Sequence, residues 1–405
     1  MSEIAHPAPD GWLKRFFLSL VILALLAGLL LVPWAVCWLT ASGELDQEEV
    51  VARQAQGEFV LFGPGLAQDI MAYKLALYAA VKPEVVVLGS SRAGNVRAAF
   101  FERPFVNMAG AATDLESLRL LVDRMLAVHR PRVVLLGLDF WWLTAGAPAG
   151  RPERIVQPSL LDASTLRAPW RWLVQGRIAP ADMLAPLQHR LRADRYGLEA
   201  QLRDTGYGPD GSLYEGAVLD GRRPAPDHAF ARTLRELESG SGVWAGSLAP
   251  DRERLEAFAE ICCRLRSRGI RTIVFLPPLA TPVLGALADR NGDDAGWLSA
   301  LRQGLLDCGV ESMDFSDPRV YGSGDCEMMD GLHGGDVIGA SLVRDMGDRQ
   351  PWLRDMLHRE YLSHVLRERR GLAAVPDERL TDLPEADFLG LHCAKKRRGE
   401  ATPRF

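Results

Sequence analysis

A chain of 405 residues, 48% of them hydrophobic, can bury a substantial core as one large domain or one and a half ordinary ones. Its net charge of −5 removes any general electrostatic reason to expect nucleic acid, and its basic clusters are local, at Lys14-Arg15 and Lys395-Lys396-Arg397-Arg398, the latter reading as solvated tail charge. No repeat of fixed period is present, which excludes solenoids and propellers, and none of the six cysteines has the paired CxxC spacing of a zinc site.

The first strong signal is an uncharged, almost wholly apolar run from Phe16 to Leu39. At a helical rise of about 1.5 Å per residue it can cross a hydrocarbon layer of about 30 Å. Lys14 and Arg15 precede it, and Glu44, Asp46, Glu48 and Glu49 follow. The positive-inside tendency therefore places residues 1–15 in the cytoplasm and the bulk of the chain outside, as a single-pass protein of the inner (cytoplasmic) membrane with a periplasmic or otherwise extracytoplasmic body. A cleaved signal peptide competes with this reading. The run is longer than a usual h-region, and Pro33, Trp34 and Trp38 near its end suit an uncleaved interfacial anchor over 16–39.

Residues 40–83 read as a helical linker, with Leu66, Ile70, Tyr73 and Leu77 at helical spacing before Pro83. From 84 to 349 apolar runs alternate with amphipathic ones: a strand at 84–89, a short strand at 105–107, a helix at 115–128 and a strand at 132–138 too apolar to be half exposed. Between about 145 and 245 the pattern loosens into a Pro- and Arg-rich insertion, with helices expected at 183–202 and 229–238 and a surface loop or hairpin tip at 206–212. Order resumes with a helix at 250–268, a strand at 271–276, a helix at 295–307, a short strand at 311–315 and a helical run at 337–346. Such alternation predicts a mostly parallel sheet covered on both faces. Within the tail, 350–405, helix is expected to Arg370 and disorder over roughly the last fifteen residues. One disulfide is expected among the cysteines beyond the apolar run, with no assignable pair; adjacent Cys262 and Cys263 on a helix allow at most one to face the core.

Two segments carry chemistry. Gly89-Ser90-Ser91-Arg92 directly follows the first apolar strand, so Ser91, flanked by Gly89 and Gly94, can stand at the carboxyl edge of a parallel sheet, where α/β proteins place their sites. Far downstream, Asp330-Gly331-Leu332-His333 offers a base and a carboxylate to fix its tautomer, the two companions a nucleophilic serine needs. Each segment alone is an ordinary turn. Serine early with Asp-x-x-His late points to ester hydrolysis or acyl transfer. His129, at a helix end, reads instead as a partner of the helix dipole.

In these segments the chain resembles the SGNH hydrolase superfamily over about residues 84–345, interrupted by the insertion. The resemblance implies a three-layer α/β/α sandwich with a mostly parallel sheet, Ser91 as nucleophile, Asp330 and His333 as its partners, and an oxyanion hole from the backbone N–H groups of Ser91 and of Gly110, in Asn107-Met108-Ala109-Gly110. Gly137-Leu138-Asp139 falls where the family carries Gly-x-Asn, and an ionised Asp139 cannot donate to an oxyanion. Two readings of Asp139 follow: it pairs with Arg92 for structure or substrate contact, or the site hydrolyses poorly. Trp141, in Phe140-Trp141-Trp142, is either a sugar-stacking platform or a buried packing residue.

The single anchor, the GSSR turn and the GLDF block are similar to the envelope branch that includes alginate O-acetylation factors and the D-alanyl transfer protein of teichoic acid operons. That resemblance implies an anchored serine protein working on acylated envelope or exported polysaccharide beside a membrane-bound O-acyltransferase, as transferase or hydrolase, with no metal or organic cofactor. The reading from another class is a catalytically inert glycan-binding or assembly scaffold on the same fold; a lipid-directed esterase is a third.

Overall fold

The computed structural model describes residues 10–66, 69–145, 158–245, 249–291, 296–375, 377–381 and 383–395. Residues 1–9 of the expected cytoplasmic stretch, the 146–157 part of the expected insertion, Lys396-Arg397-Arg398 and the end of the tail lie outside them. The apolar run forms part of one helix, Asp10–Ala41, which is long and apolar enough to cross a membrane. Trp12, Phe17, Leu23 and Leu30 on it are exposed, as a lipid-facing surface requires. Its last turns are different. Ala35, Trp38 and Leu39 are fully buried against the helix Ala163–Val174, with the Trp38 ring edge-on to Trp172 at 5.6 Å. Trp38 is therefore a packing residue of the folded body, and its role as an interfacial anchor is corrected.

The body is a mixed α/β fold whose described residues form nine strands: β1 (Leu61–Phe62), β2 (Val85–Leu88), β3 (Phe105–Asn107), β4 (Val133–Gly137), β5 (Arg195–Tyr196), β6 (Thr205–Tyr207), β7 (Leu213–Glu215), β8 (Arg271–Leu276) and β9 (Glu311–Asp314). Five form a sheet of order β3-β2-β4-β8-β9 with every pairing parallel. Because strand side chains alternate, Val85, Val87, Val133, Leu135 and Ile273 enter one core cluster while Val86, Leu88, Val134, Leu136 and Val274 enter another. Both faces are buried, so the runs are apolar throughout rather than alternating, and each such side chain removed from water contributes about 1.5–3 kcal/mol. Leu118 and Leu121 of the helix Leu115–Val128 and Phe258 and Leu265 of the helix Arg252–Ser267 pack on one side; Val337, Leu342 and Val343 of the helix Asp336–Arg349 pack on the other. Asp114 and Asp251 start the first two helices by accepting backbone N–H bonds from Ser117 and Arg254.

Several expectations change. Residues 40–83 are not a helical linker throughout: β1 interrupts them between the helices Gln47–Ala55 and Ile70–Val81, and Leu66 lies outside both helices. The insertion is not loose. It contributes β5, β6 and β7 to a second sheet, β5-β1-β6-β7, with β1 as an inner strand. The helix expected at 183–202 is broken: His189 and Gly197 adopt positive φ, β5 intervenes, and only Leu198–Arg203 is α-helical. Residues 206–212 form a hairpin tip, one of the two expected readings, between the antiparallel β6 and β7; they are not a surface loop, since Ser212 is fully buried and the tip is tied to the core through Lys74, whose ammonium donates to the carbonyls of Asn107 and Gly211. A helix at Thr281–Asn291 adds to those expected.

Two disulfides form in place of one, Cys263–Cys308 and Cys326–Cys393, leaving Cys262 buried and free. The second staples the described part of the tail to the segment before Asp330. Lys395 is no solvated charge: its ammonium pairs with Glu385 at 2.6 Å, both side chains buried, and Glu385 also accepts the backbone N–H groups of Ala373 and Ala374.

Candidate active site

β2 ends at Leu88, and the chain turns at Gly89 with φ +132, where a Cβ would lie 2.5 Å from the Gly137 carbonyl oxygen of β4. Only glycine fits there, which lets the turn leave the sheet edge sharply. Ser90 then caps a short 3-10 turn, its Oγ accepting the Arg92 N–H at 3.2 Å, and Ser91 is left exposed at the carboxyl edge. The loop before the helix Asp336–Arg349 brings His333 Nε2 to 2.9 Å from Ser91 Oγ, across 242 residues of sequence. On the other side of the ring, Nδ1 is 2.9 and 3.0 Å from the two Asp330 carboxylate oxygens. An ionised Asp330 requires the proton on Nδ1, so Nε2 is the acceptor for the Ser91 hydroxyl.

Asp330 is held as an anion. Burial works against its charge, but the His333 ring and the backbone N–H groups of Leu332 and His333, donating at 2.7 and 2.8 Å, outweigh it and bring the carboxyl down to about 2. His333 moves the other way: burial pulls its pKa down, yet Asp330, and behind it Glu215 at the end of β7, raise it above the ordinary histidine value. Exposure falls from Ser91 through His333 to Asp330, with 28% of the His333 side chain and 12% of the Asp330 side chain accessible. The serine hydroxyl faces solvent while the carboxylate is shielded.

Arg92 holds the surrounding loops together. Its guanidinium pairs with Asp139 at 2.8 Å and also donates to the carbonyls of Leu332, Pro277 and Pro278 at 2.9, 2.7 and 2.6 Å. One buried side chain thus links the serine turn, the end of β4, the end of β8 and the histidine loop. Asp139 is fully buried, so it serves structure here rather than contact with a substrate, and neither does Arg92 present its head to solvent. Trp141 likewise is no open platform: it is 8% exposed, lies over the Arg92 guanidinium at 5.1 Å and meets Phe140 and Trp244 edge-on. It packs against the insertion.

The oxyanion side needs a correction. Gly110 sits beside the serine turn, but its N–H donates to the Gly89 carbonyl at 2.9 Å and is not free to bind an oxyanion. The Ser91 N–H has no partner among the described residues.

Sequence reasoning missed the braces. Asp227, fully buried in the insertion, accepts the Gly331 N–H at 2.9 Å and holds the Asp330–His333 loop from below. Asn95 donates to the Gly334 carbonyl, and Arg97 pairs with Asp336 at 2.6 Å, both within a few residues of the two motifs. Their closeness to GSSR and DGLH was a usable signal for Asn95, Arg97 and Asp336; nothing in the sequence distinguished Asp227 or Glu215. Among the described residues no three His, Cys, Asp or Glu side chains are grouped to hold a metal ion.

Comparison of the chain with family models, with curated proteins and with solved structures finds no match. Its chemistry rests on the geometry of the site.

Proposed function

We propose that this chain is a membrane-anchored, extracytoplasmic serine-dependent O-acyltransferase or esterase of SGNH-like, three-layer architecture, acting on acylated cell-envelope or exported polysaccharide. The observation that carries the proposal is the hydrogen-bonded chain Ser91 Oγ, His333 Nε2, His333 Nδ1, Asp330, each contact between 2.9 and 3.0 Å. Ser91 Oγ attacks the acyl carbon of an ester; the carbonyl π pair moves to oxygen, and the Ser91 proton passes to His333 Nε2. Collapse of the tetrahedral adduct re-forms the carbonyl, breaks the bond to the leaving alkoxide and returns the proton to it, leaving acyl-Ser91. A sugar hydroxyl or water, deprotonated by His333, then takes the acyl group and releases Ser91.

An exposed nucleophile suits a polymer that cannot enter a closed cavity. Retention of the helix Asp10–Ala41 as an anchor is supported by the burial of its last turns in the body, and an oxidising compartment outside the cytoplasm by the two disulfides. Tethering would raise the effective concentration of the site near a membrane-bound acyl donor, such as an O-acyltransferase partner. A fluorophosphonate probe tests the chemistry: wild type is expected to be labelled and Ser91→Ala not, and equal labelling of both sinks the proposal.

The inert-scaffold reading draws on a specific observation, the engagement of the Gly110 N–H together with a carboxylate at position 139. It predicts that the full-length wild type resists the probe while still binding acylated glycan.

A further inference from the structure

We propose that the hydroxyl of Tyr207, on β6 of the second sheet, is the side-chain hydrogen-bond donor of the oxyanion hole. This rests on the acyl-transfer reading above. A tetrahedral oxyanion needs at least two aimed donors, and the serine turn supplies one, the Ser91 N–H. The Gly110 N–H is engaged with Gly89, Asp139 is a carboxylate paired with Arg92, and the guanidinium of Arg92 is directed at Asp139 and three carbonyls. A donor has to come from elsewhere in the fold.

Tyr207 meets the requirement on three counts. Its hydroxyl lies 3.7 Å from where a Cβ on Gly110 would stand, so it faces the open space that the glycine, at φ +84, leaves beside the serine turn. Its strand is fixed to that turn: Tyr207 pairs with Leu213 of β7, whose N–H donates to the Gly94 carbonyl at 3.1 Å. Its ring is clamped, with the Lys74 ammonium 4.1 Å from the centroid, Tyr73 at 5.6 Å, and the Tyr207 carbonyl accepting from Gln54 at 3.0 Å.

Among the described residues no internal group takes the hydroxyl proton, so it is available to a ligand. Burial pushes the phenol up to about 12, which keeps it a donor throughout the working range of His333 and excludes it as a base. Gly110 thereby acquires a different part in the site. It makes room for the oxyanion between its Cα and Tyr207 rather than donating to it.

The test uses the full chain in detergent micelles with 4-nitrophenyl acetate as the ester and phenylboronic acid as the tetrahedral mimic. Tyr207→Phe keeps the ring against Lys74 and Tyr73. It is expected to lower kcat about 100-fold with KM within about twofold, and to weaken boronate binding by a similar factor. A merely structural role would change KM and the melting temperature along with kcat, and that pattern counts against the proposal. Tyr207→Phe equal to wild type in kcat and boronate affinity overturns the role of Tyr207 while Ser91-dependent turnover keeps the acyl-transfer reading. Wild type with neither turnover nor labelling at Ser91 overturns both.

Discussion

Burial alone would drive the proton off His333; Asp330 and Glu215 hold it on more strongly than burial removes it. The sign for activity follows. In the proposed reaction, attack by Ser91 needs an unprotonated Nε2, which is lost as pH falls through the raised pKa of His333, while Asp330, at about 2, stays ionised throughout. kcat/KM is therefore expected to fall on the acid side with a midpoint above the ordinary histidine value of about 6.5. Asp330→Asn should move that midpoint down and reduce kcat on the order of 10³- to 10⁴-fold, since the amide no longer enforces the tautomer. Glu215→Gln should move the midpoint in the same direction by less. A pH–rate profile of the three proteins checks this; a midpoint unmoved in Asp330→Asn would show that the pair seen here does not govern the titration.

A buried carboxylate and a backbone bond from Gly197 to the Ser42 carbonyl join the second sheet to the end of the amino-terminal helix. Glu44, just beyond the helix, is fully buried and accepts the backbone N–H groups of Gly65, Leu66 and Leu198, bridging the helix end, the segment after β1 and the residue after β5's turn. Beside it Trp38 fills the space against Trp172. Glu44→Ala strands these N–H groups at a cost of about 1–3 kcal/mol, and Trp38→Ala opens a cavity worth about 3–5 kcal/mol. Both variants are expected to melt at lower temperature in detergent than wild type. An unchanged melting temperature for Trp38→Ala would mean that the helix end is not part of the folded body, and would return the segment to the signal-peptide reading.

At the scale of the whole molecule, described residues of the carboxyl-terminal segment are tied to both sides of the histidine loop, the Gly371 N–H donating to Glu327 and the Ala373 carbonyl accepting the Val337 N–H. Cys326–Cys393 spans 67 residues, enough for a cross-link to restrict the unfolded chain by roughly 4 kcal/mol. Replacing both cysteines with serine should lower the melting temperature, and wild type in reductant, which also loses Cys263–Cys308, should fall at least as far. No difference between the double variant and wild type under oxidising conditions would show that the pair is not bridged.

Much of this was readable from the chain itself. Fully apolar runs such as 133–137 announce strands buried on both faces, the long apolar segment announces a helix able to cross a membrane, and Ser91, Asp330 and His333 are recognisable because hydroxyl, imidazole and carboxylate are needed together for one chemistry. The two- and three-residue strands β1, β5, β6 and β7 carry too little period to be seen, and so the second sheet was unreadable, although the 206–212 hairpin tip and the helix near 229–238 were not. Whether Trp141 faces solvent or packs, whether the Gly110 N–H is free, and which hydroxyl stands beside it depend on contacts between residues far apart in sequence. The sequence by itself determined which groups could react. Only the tertiary structure decided which donors are already engaged, because a hydrogen bond to a neighbouring loop leaves no trace in the residues that make it.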